Sequence, residues 1–223
     1  MRAKLSVIVP TLNAQEGLQW SLSALAEGLE AGLIRELIIT DGGSCDDTLR
    51  IADEAGALVV SGQPSRGEQL RRGAEEAKGD WLLFLHADCQ LPKGWAEAVD
   101  RQIKMDAPAV FLLDFDACSY PARIVAAWAN LRTRVLKLPY GDQGLLISRR
   151  DYDAAGGYRE IPLMEDVAMV RDLRVKPAII PLAIQTSAAK YNRDGWLRRG
   201  SRNLVLLTRY LLGADPEKLV KRY

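Results

Sequence analysis

A single histidine, three cysteines and three phenylalanines are all that the 223 residues hold of these types. The cysteines, Cys45, Cys89 and Cys118, are odd in number and widely spaced. That excludes a disulfide framework and a zinc site built on paired cysteines, and the three read as reduced thiols. No apolar run approaches the ~20 residues that cross a bilayer as a helix. The opening MRAKLSVIVP has one short apolar stretch that reads as a strand, without the longer apolar segment and small-residue cleavage site of a secretory signal, so a cytoplasmic protein is expected. Internal repeats, low-complexity tracts and long linkers are absent. So are the glycine-rich phosphate loops G-x-G-x-x-G and GxxxxGK[ST].

What is present is ordinary for a soluble globular chain: 48% hydrophobic and 26% charged residues, which excludes disorder and collagen-like repeats. A chain of this length buries roughly 70% of its unfolded surface and needs no staple to fold. The net charge of +1 conceals an asymmetry. Residues 190–223 carry nine Lys/Arg against three Asp/Glu, whereas residues 1–189 carry 21 against 26. The basic tail suits a phosphate-rich partner or an anionic membrane surface, and equally a solvated helix face.

Apolar runs alternate with helical patterns. Residues 5–10, 36–40, 57–61 and 80–86 read as strands. Between them, a helix is expected from Asn13, with Glu16 completing a capping box and Leu18, Leu22, Leu25, Leu29 and Leu33 on one face. A second follows from about Asp46, with Leu49, Ala52 and Ala55 inward, and a polar third spans 67–77. Strands are expected at 108–115, 143–148 and 178–184, and helices at 121–137, 165–174, 194–212 and 216–222. This alternation predicts an α/β fold with a doubly wound, mostly parallel sheet, helices on both faces and a C-terminal helical segment. One domain spans 1–223, with a nucleotide-binding half at 1–90, an acceptor or catalytic half at 91–190 and basic amphipathic helices at 191–223. Ligands bind beyond the carboxyl ends of strands in such sheets. The strand ends Pro10-Thr11, Asp41-Gly42-Gly43, Ser61-Gly62 and His86-Ala87-Asp88 should therefore converge on one crevice.

Several residues there carry chemistry. Asp88 follows WLLFL, and its carboxylate suits a divalent cation holding a diphosphate, although a strand-end Asp also caps turns. His86, two residues earlier, points to the same side of an extended strand. If it ligates, Mn²⁺ tolerates the imidazole better than Mg²⁺. Glu165-Asp166 opens a helix, where acids are favourable for the dipole alone, but a carboxylate there can also act as a general base. Asp41 can accept from a base N–H or a ribose hydroxyl, with Gly42 and Gly43 permitting close approach. Arg66 can pair with a phosphate. Gly141-Asp142-Gln143-Gly144 has loop composition and places an acid near the site or in an ordinary turn.

Taken in order, SVIVPTLNAQEGL, ELIITDGGSCDDT, GDWLLFLHADCQLP and GGYREIPLMEDVAMVRDL resemble glycosyltransferase family 2, inverting nucleotide-sugar transferases of GT-A fold. The stretches span residues 5–175. The HAD and GDQG segments and the C-terminal YLLGADPEKLVKRY resemble a compact bacterial subgroup described as radical-SAM and selenodomain associated. The resemblance implies that Pro10, Thr11 and Asp41 frame the nucleobase and ribose and that Arg66 meets the nucleotide. His86-Ala87-Asp88 stands at the D-x-D position, whose last Asp meets the metal, Mn²⁺ or Mg²⁺. Glu165-Asp166 matches the E-D pair whose Asp is the base. Asp142, Gln143 and Lys190 fall in the acceptor or donor-sugar region. Ser187 to Tyr191 lies where processive relatives carry Q-x-x-R-W, and its divergence argues against a processive synthase.

The expectation is therefore inverting, metal-assisted transfer of a sugar from a UDP- or GDP-linked donor to an unidentified acceptor hydroxyl, lipid-linked acceptors included. Nucleic acid is not an expected partner. A nucleotidyltransferase is one alternative. Another is a membrane-surface or partner-binding module acting through residues 194–223, where Leu204, Leu207, Leu211 and Leu212 would form one face; this would place the protein at the inner membrane face.

Overall fold

The computed structural model describes residues 3–220. Strands β1 (Leu5–Thr11), β2 (Ile34–Asp41), β3 (Leu58–Ser61) and β4 (Trp81–Phe84) form a parallel block in the spatial order β3-β2-β1-β4. The sheet continues from β4 through β7 (Leu145–Ser148), β6 (Ala109–Phe115) and β8 (Ala178–Thr186) to β5 (Cys89–Gln90). β7 runs antiparallel to both β4 and β6, β6 and β8 are parallel, and β5 is antiparallel to β8. The expected mostly parallel sheet is thus present, with β7 and β5 running against the rest.

β1 shows why these residues make strands. Leu5, Val7 and Val9 enter the core on one face, and Ile8 enters the core on the other with Leu82 and Phe84. A strand covered on both faces needs a continuous β-branched and aliphatic run, which LSVIV supplies.

Several helices differ from expectation. The first is two pieces, α1 (Gln15–Ser23) and α2 (Ala26–Glu30). Asn13 does not cap α1: it adopts φ 48°, and its side-chain oxygen accepts from the Cys45 amide, pinning the neighbouring loop. Leu18 and Leu25 are buried, but Leu29 is 61% exposed. In α3 (Thr48–Glu54) the inward residues are Thr48 and Ala52, while Leu49 and Ala55 are exposed. The reason is polar. The Thr48 hydroxyl accepts from the Ala14 amide and donates to Asp46, which turns that face of the helix inward.

α4 (Arg66–Glu76) and α6 (Tyr120–Leu136) fall near their expected places. α5 (Trp95–Lys104) and α7 (Arg149–Ala154) were not anticipated. After α8 (Glu165–Asp172) and β8, an unanticipated short helix, α9 (Ala189–Asp194), precedes the helix expected at 194–212, which is present as α10 (Trp196–Leu211), with Gly195 at φ 86° between them. α11 (Pro216–Val220) ends the described chain, and the last residues of the helix expected at 216–222 lie outside it. The single-face reading of α10 is corrected as well. Leu206 and Leu207 are buried against Met164, Val167 and Leu219, while Leu204, Leu211 and Leu212 face outward. Among the described residues no helix is long and apolar enough to cross a membrane.

Candidate active site

The carboxyl ends of β1 and β4 open on a cleft of about 1310 Å³, whose far wall comes from the end of β6 and from α9. Pro10 and Thr11 line it, as do Arg66, His86, Asp88 and Lys190, so most residues expected at the crevice are together.

Asp41 is placed differently from expectation. It is 1% exposed and turned toward its own loop. It accepts from the amides of Gly43 and Ser44, both at 2.7 Å, from the Ser44 hydroxyl at 2.5 Å and from the Thr11 hydroxyl at 3.0 Å. Burial raises its pKa, but these donors outweigh that and hold the carboxyl below its ordinary range. Its lone pairs are engaged in shaping the loop that borders the cleft. Gln69, overlooked in the sequence, does related work from α4. Its buried amide donates to the carbonyls of Thr11 at 2.8 Å and Thr40 at 2.7 Å, tying two strand ends together. A glutamine beside Leu70 on the core face of a helix was the available signal.

His86-Ala87-Asp88 follows β4 and is held from two sides. A Cβ on Gly17 would lie 3.0 Å from the Ala87 carbonyl oxygen and 3.1 Å from Asp88, so only a glycine lets α1 approach this closely. A Cβ on Gly141 would lie 2.6 Å from His86 Nε2. The Ser187 amide donates to the Asp88 carbonyl, and the Lys190 ammonium meets the Asp88 carboxylate at 2.9 Å. Burial alone would raise the Asp88 pKa; the Lys190 ammonium outweighs this and keeps it lowered. Burial pushes His86 down to about 3, reinforced by the positive charge of Arg66 and opposed by Asp88. The imidazole is therefore neutral near pH 7, as a metal ligand must be. His86, Asp88 and Cys89 offer donor atoms within 4.8 Å of one another. Cys89 is fully buried and its thiol is raised well above its ordinary value, which leaves the imidazole and the carboxylate as the fitting pair. Mixed nitrogen and oxygen donors suit Mn²⁺ better than Mg²⁺.

Glu165 and Asp166 begin α8, behind Met164, a non-glycine residue at φ 65°. That conformation turns the chain sharply into the helix, whose first two residues point to different surroundings. Glu165 points inward, 2% exposed, with Arg66 Nε at 3.6 Å. Burial, then the charge of Asp166, raise it to about 8 despite Arg66. Asp166 faces a cavity of about 110 Å³ that Asp88, His86, Arg66 and Lys190 also line. Its Oδ2 accepts from the Gly141 amide and its Oδ1 from the Val167 amide, both at 2.7 Å. Asp142 borders the same cavity; burial raises it to about 6, and its Oδ1 has no hydrogen-bond partner. Gln143 does not reach this cavity. It is fully buried, accepting from Thr133 and donating to the Phe111 carbonyl, and so acts as a strut between α6 and β6.

The fold is matched by comparison with known proteins. The family model described as Glycosyl transferase family 2 matches residues 6–142, a span that ends before Glu165. Glucosyl-3-phosphoglycerate synthase of Mycobacterium tuberculosis (strain ATCC 25618 / H37Rv) is 34% identical over 93 residues, covering 38% of this chain and 28% of that protein. The PGL/p-HBAD biosynthesis glycosyltransferase of Mycobacterium bovis (strain BCG / Pasteur 1173P2) is 37% identical over 93 residues, covering 39% and 36%. The chain thus matches about a third or less of the length of these relatives. Among solved structures, the M. tuberculosis synthase with Mn²⁺, UDP and glucosyl-3-phosphoglycerate superposes with a TM-score of 0.55 at 22% identity, covering 81% of this chain and 70% of that one. S. aureus TarS 1–349 with UDP-GlcNAc gives 0.60 at 17%, covering 82% and 58%. At these identities the likeness is one of fold, the GT-A arrangement.

Proposed function

The chain belongs to glycosyl transferase family 2, and from that membership we propose that it transfers a sugar from a nucleotide-sugar donor to an acceptor hydroxyl by single displacement with inversion. The observation that carries the reading is that Asp88, paired with a cation, and Asp166, held by two backbone amides, line one small cavity. Pro10 and Thr11 border the nucleotide, and Arg66 with Lys190 meets the diphosphate. Asp88 and His86 would hold a divalent cation, Mn²⁺ or Mg²⁺, which when bound neutralises charge on the departing diphosphate.

Asp166 receives the acceptor's proton as that oxygen bonds to the anomeric carbon. The bond from carbon to the diphosphate oxygen breaks, its electron pair leaving with the nucleoside diphosphate. The two backbone amides fix the carboxylate for this task. Glu165, neutral near pH 7, acts as a positioning residue and not as a second base. A UDP-linked donor is the first choice, since UDP is bound in the structure of the synthase above. The division into a nucleotide half (1–90), an acceptor half (91–190) and basic C-terminal helices is part of the proposal, as are the compact-subgroup assignment from the HAD and GDQG segments and a cytoplasmic location. Exposure of Leu197, Leu204 and Leu212 along α10 supports a peripheral contact at the inner membrane face and a lipid-linked acceptor.

The test is a melting-temperature panel with UDP, GDP and their sugars, with Mn²⁺ or chelator, followed by turnover of Asp166→Asn. A metal-dependent rise with one diphosphate is expected, as is a turnover loss of about 10²–10⁴-fold with donor binding retained. Near wild-type turnover in the variant would remove Asp166 as the base.

A further inference from the structure

α6 is built the wrong way round for a helix packed on a sheet. Toward the core it presents small residues, Ala122, Ala126 and Ala129, with Thr133. Toward solvent it presents Ile124, Trp128, Leu131 and Val135, a stripe at i, i+4, i+7 and i+11. Trp128 is 47% exposed and Val135 66%. A surface helix ordinarily turns its large apolar residues inward, so an outward stripe calls for something to cover it.

α10 continues this surface. Gly200 faces α6, where a Cβ would lie 3.9 Å from Val125 Cγ2. Leu197 and Leu204 stand one turn to either side of Gly200, and Leu211 follows two turns further on; all three are exposed, Leu197 by 81%. On α6, Trp128 stands one turn from Val125 in the same way. The two stripes therefore meet along the α6–α10 seam. Of the eighteen exposed large apolar side chains among the described residues, six lie on α6 and five on α10 with the Leu212 that ends it. That is a patch, unlike the scatter of single residues found on any surface.

The charge beside the patch indicates what covers it. α6 and α10 hold no aspartate or glutamate. Arg134 in the last turn of α6, Lys137 at its end and Arg209 in the last turn of α10 are all exposed. The flanking acids lie beyond the helix ends and face elsewhere. Asp116 accepts from the Ala188 amide, Asp194 meets Arg193 and Arg199, Asp215 accepts from the Glu217 amide, and Asp142 borders the cavity of Asp166. An apolar stripe edged by cations, with a tryptophan in it, is the composition of a surface that lies on anionic lipid. A second copy fits less well, because a two-fold contact would set these acid-free helices against themselves.

We propose that the α6–α10 seam docks on an anionic lipid bilayer, with Trp128, Leu131 and Leu204 entering the headgroup boundary and Arg134, Lys137 and Arg209 meeting lipid phosphates. That the bilayer also presents the acceptor rests on the transferase reading above; the docking face does not. The inner side of α10 makes the connection. Arg199, Asn203 and Leu206 line the cavity of Asp166, so bilayer and cavity lie on opposite sides of one helix, about 10 Å thick.

The experiment sediments the full chain with vesicles of phosphatidylcholine, alone or mixed with phosphatidylglycerol, at low and high salt. Binding to the mixed vesicles is expected, weakened by salt and several-fold lower with phosphatidylcholine alone. Trp128→Ser/Leu131→Ser should weaken it on the order of tenfold or more, and Arg134→Gln/Lys137→Gln by about tenfold. All four residues lie on the surface, so the melting-temperature rise given by UDP with Mn²⁺ should stay as in wild type. Trp128→Ser alone serves if the double variant fails to fold. No binding to mixed vesicles, equal binding to both vesicle types, or unchanged binding in the variants would overturn the proposal. So would a stable dimer in solution that Trp128→Ser/Leu131→Ser dissociates, which would give the face to a second copy. A chain that binds vesicles but not UDP keeps the docking face and loses the transferase reading; one that binds UDP but not vesicles does the reverse.

Discussion

Replacing Glu165 by glutamine should stabilise the protein, and by an amount that depends on pH in a set direction. The carboxyl is 2% exposed, and burial followed by the neighbouring charge of Asp166 raise its pKa from 4.5 to about 8. Below pH 4.5 it is protonated in the folded and unfolded chain alike, and its contribution is fully present. Between 4.5 and about 8 the unfolded chain gives up the proton while the folded one keeps it, so stability falls as pH rises. Each pH unit costs about 1.4 kcal/mol, and the whole interval about 5 kcal/mol at most. Relaxation around Arg66, 3.6 Å away, brings the expected loss to about 2–4 kcal/mol. Glutamine keeps the shape and cannot ionise. Melting of chelator-treated wild type and Glu165→Gln from pH 5 to 9 should therefore start nearly equal. It should then diverge in favour of the variant, by roughly 5–15 °C at pH 9. A difference that does not change with pH would show that Glu165 ionises at its ordinary value in the folded protein. A wild type that gains on the variant as pH rises would show that Arg66 outweighs burial.

Two structural substitutions test how the site is held. In Gly67→Ala, the better helix former gains about 1 kcal/mol in α4, but its Cβ would stand 2.1 Å from the Arg159 carbonyl oxygen and 2.8 Å from that of Ile161. Overpacking against backbone wins, so urea unfolding should show a net loss of about 1–2 kcal/mol or more, with reduced turnover because the displaced segment leads into Glu165-Asp166; a stabilised variant would refute the contact. In Gln69→Leu, the carbonyls of Thr11 and Thr40 lose a buried donor, and Thr11 keeps the Gly42 amide. A loss of about 1–3 kcal/mol is expected in the same assay, and one below about 0.5 kcal/mol would remove Gln69 as the tie between the strands.

Hydrophobic period carried most of the fold. Strands β1, β2 and β4 were legible because burial in the sheet's interior demands uninterrupted aliphatic runs, which few other structures tolerate. The short antiparallel strand β5 and helices α5 and α7 were not, because their identity comes from what they pack against. Trp95 in α5, for example, is fully buried and donates to the Ala24 carbonyl. Polar pairs misled where apolar counting was trusted: the Thr48 and Asp46 pair, and not Leu49, orients α3. At the site, the convergence of strand ends brought Pro10, Thr11, Arg66, His86 and Asp88 together as expected. Asp41 and Gln143 have the residue types of ligand contacts and are also engaged within the protein, Asp41 by its own loop and Gln143 between α6 and β6, a use that no local sequence signal announces.

The charge asymmetry of the chain becomes an asymmetry in space, and it bears on which acid does what. Asp88, Asp142, Glu165 and Asp166 border or adjoin one cavity, and four carboxylates so close cannot all be charged without compensation. The basic C-terminal segment supplies part of that compensation: Lys190 meets Asp88 directly and keeps it ionised, whereas Glu165, buried away from the opening, holds its proton. Asp166 combines access to the cavity with two fixed amide donors, which supports giving it the base role that the family resemblance implies for the Asp of the pair. A divalent cation arriving at Asp88 would compete with Lys190 for the same oxygens. The ammonium it releases borders both the crevice and the cavity that Asp166 lines. On the proposed mechanism, the charge that leaves Asp88 stays at the crevice where the donor's diphosphate would lie, so that metal loading frees Lys190 for that diphosphate.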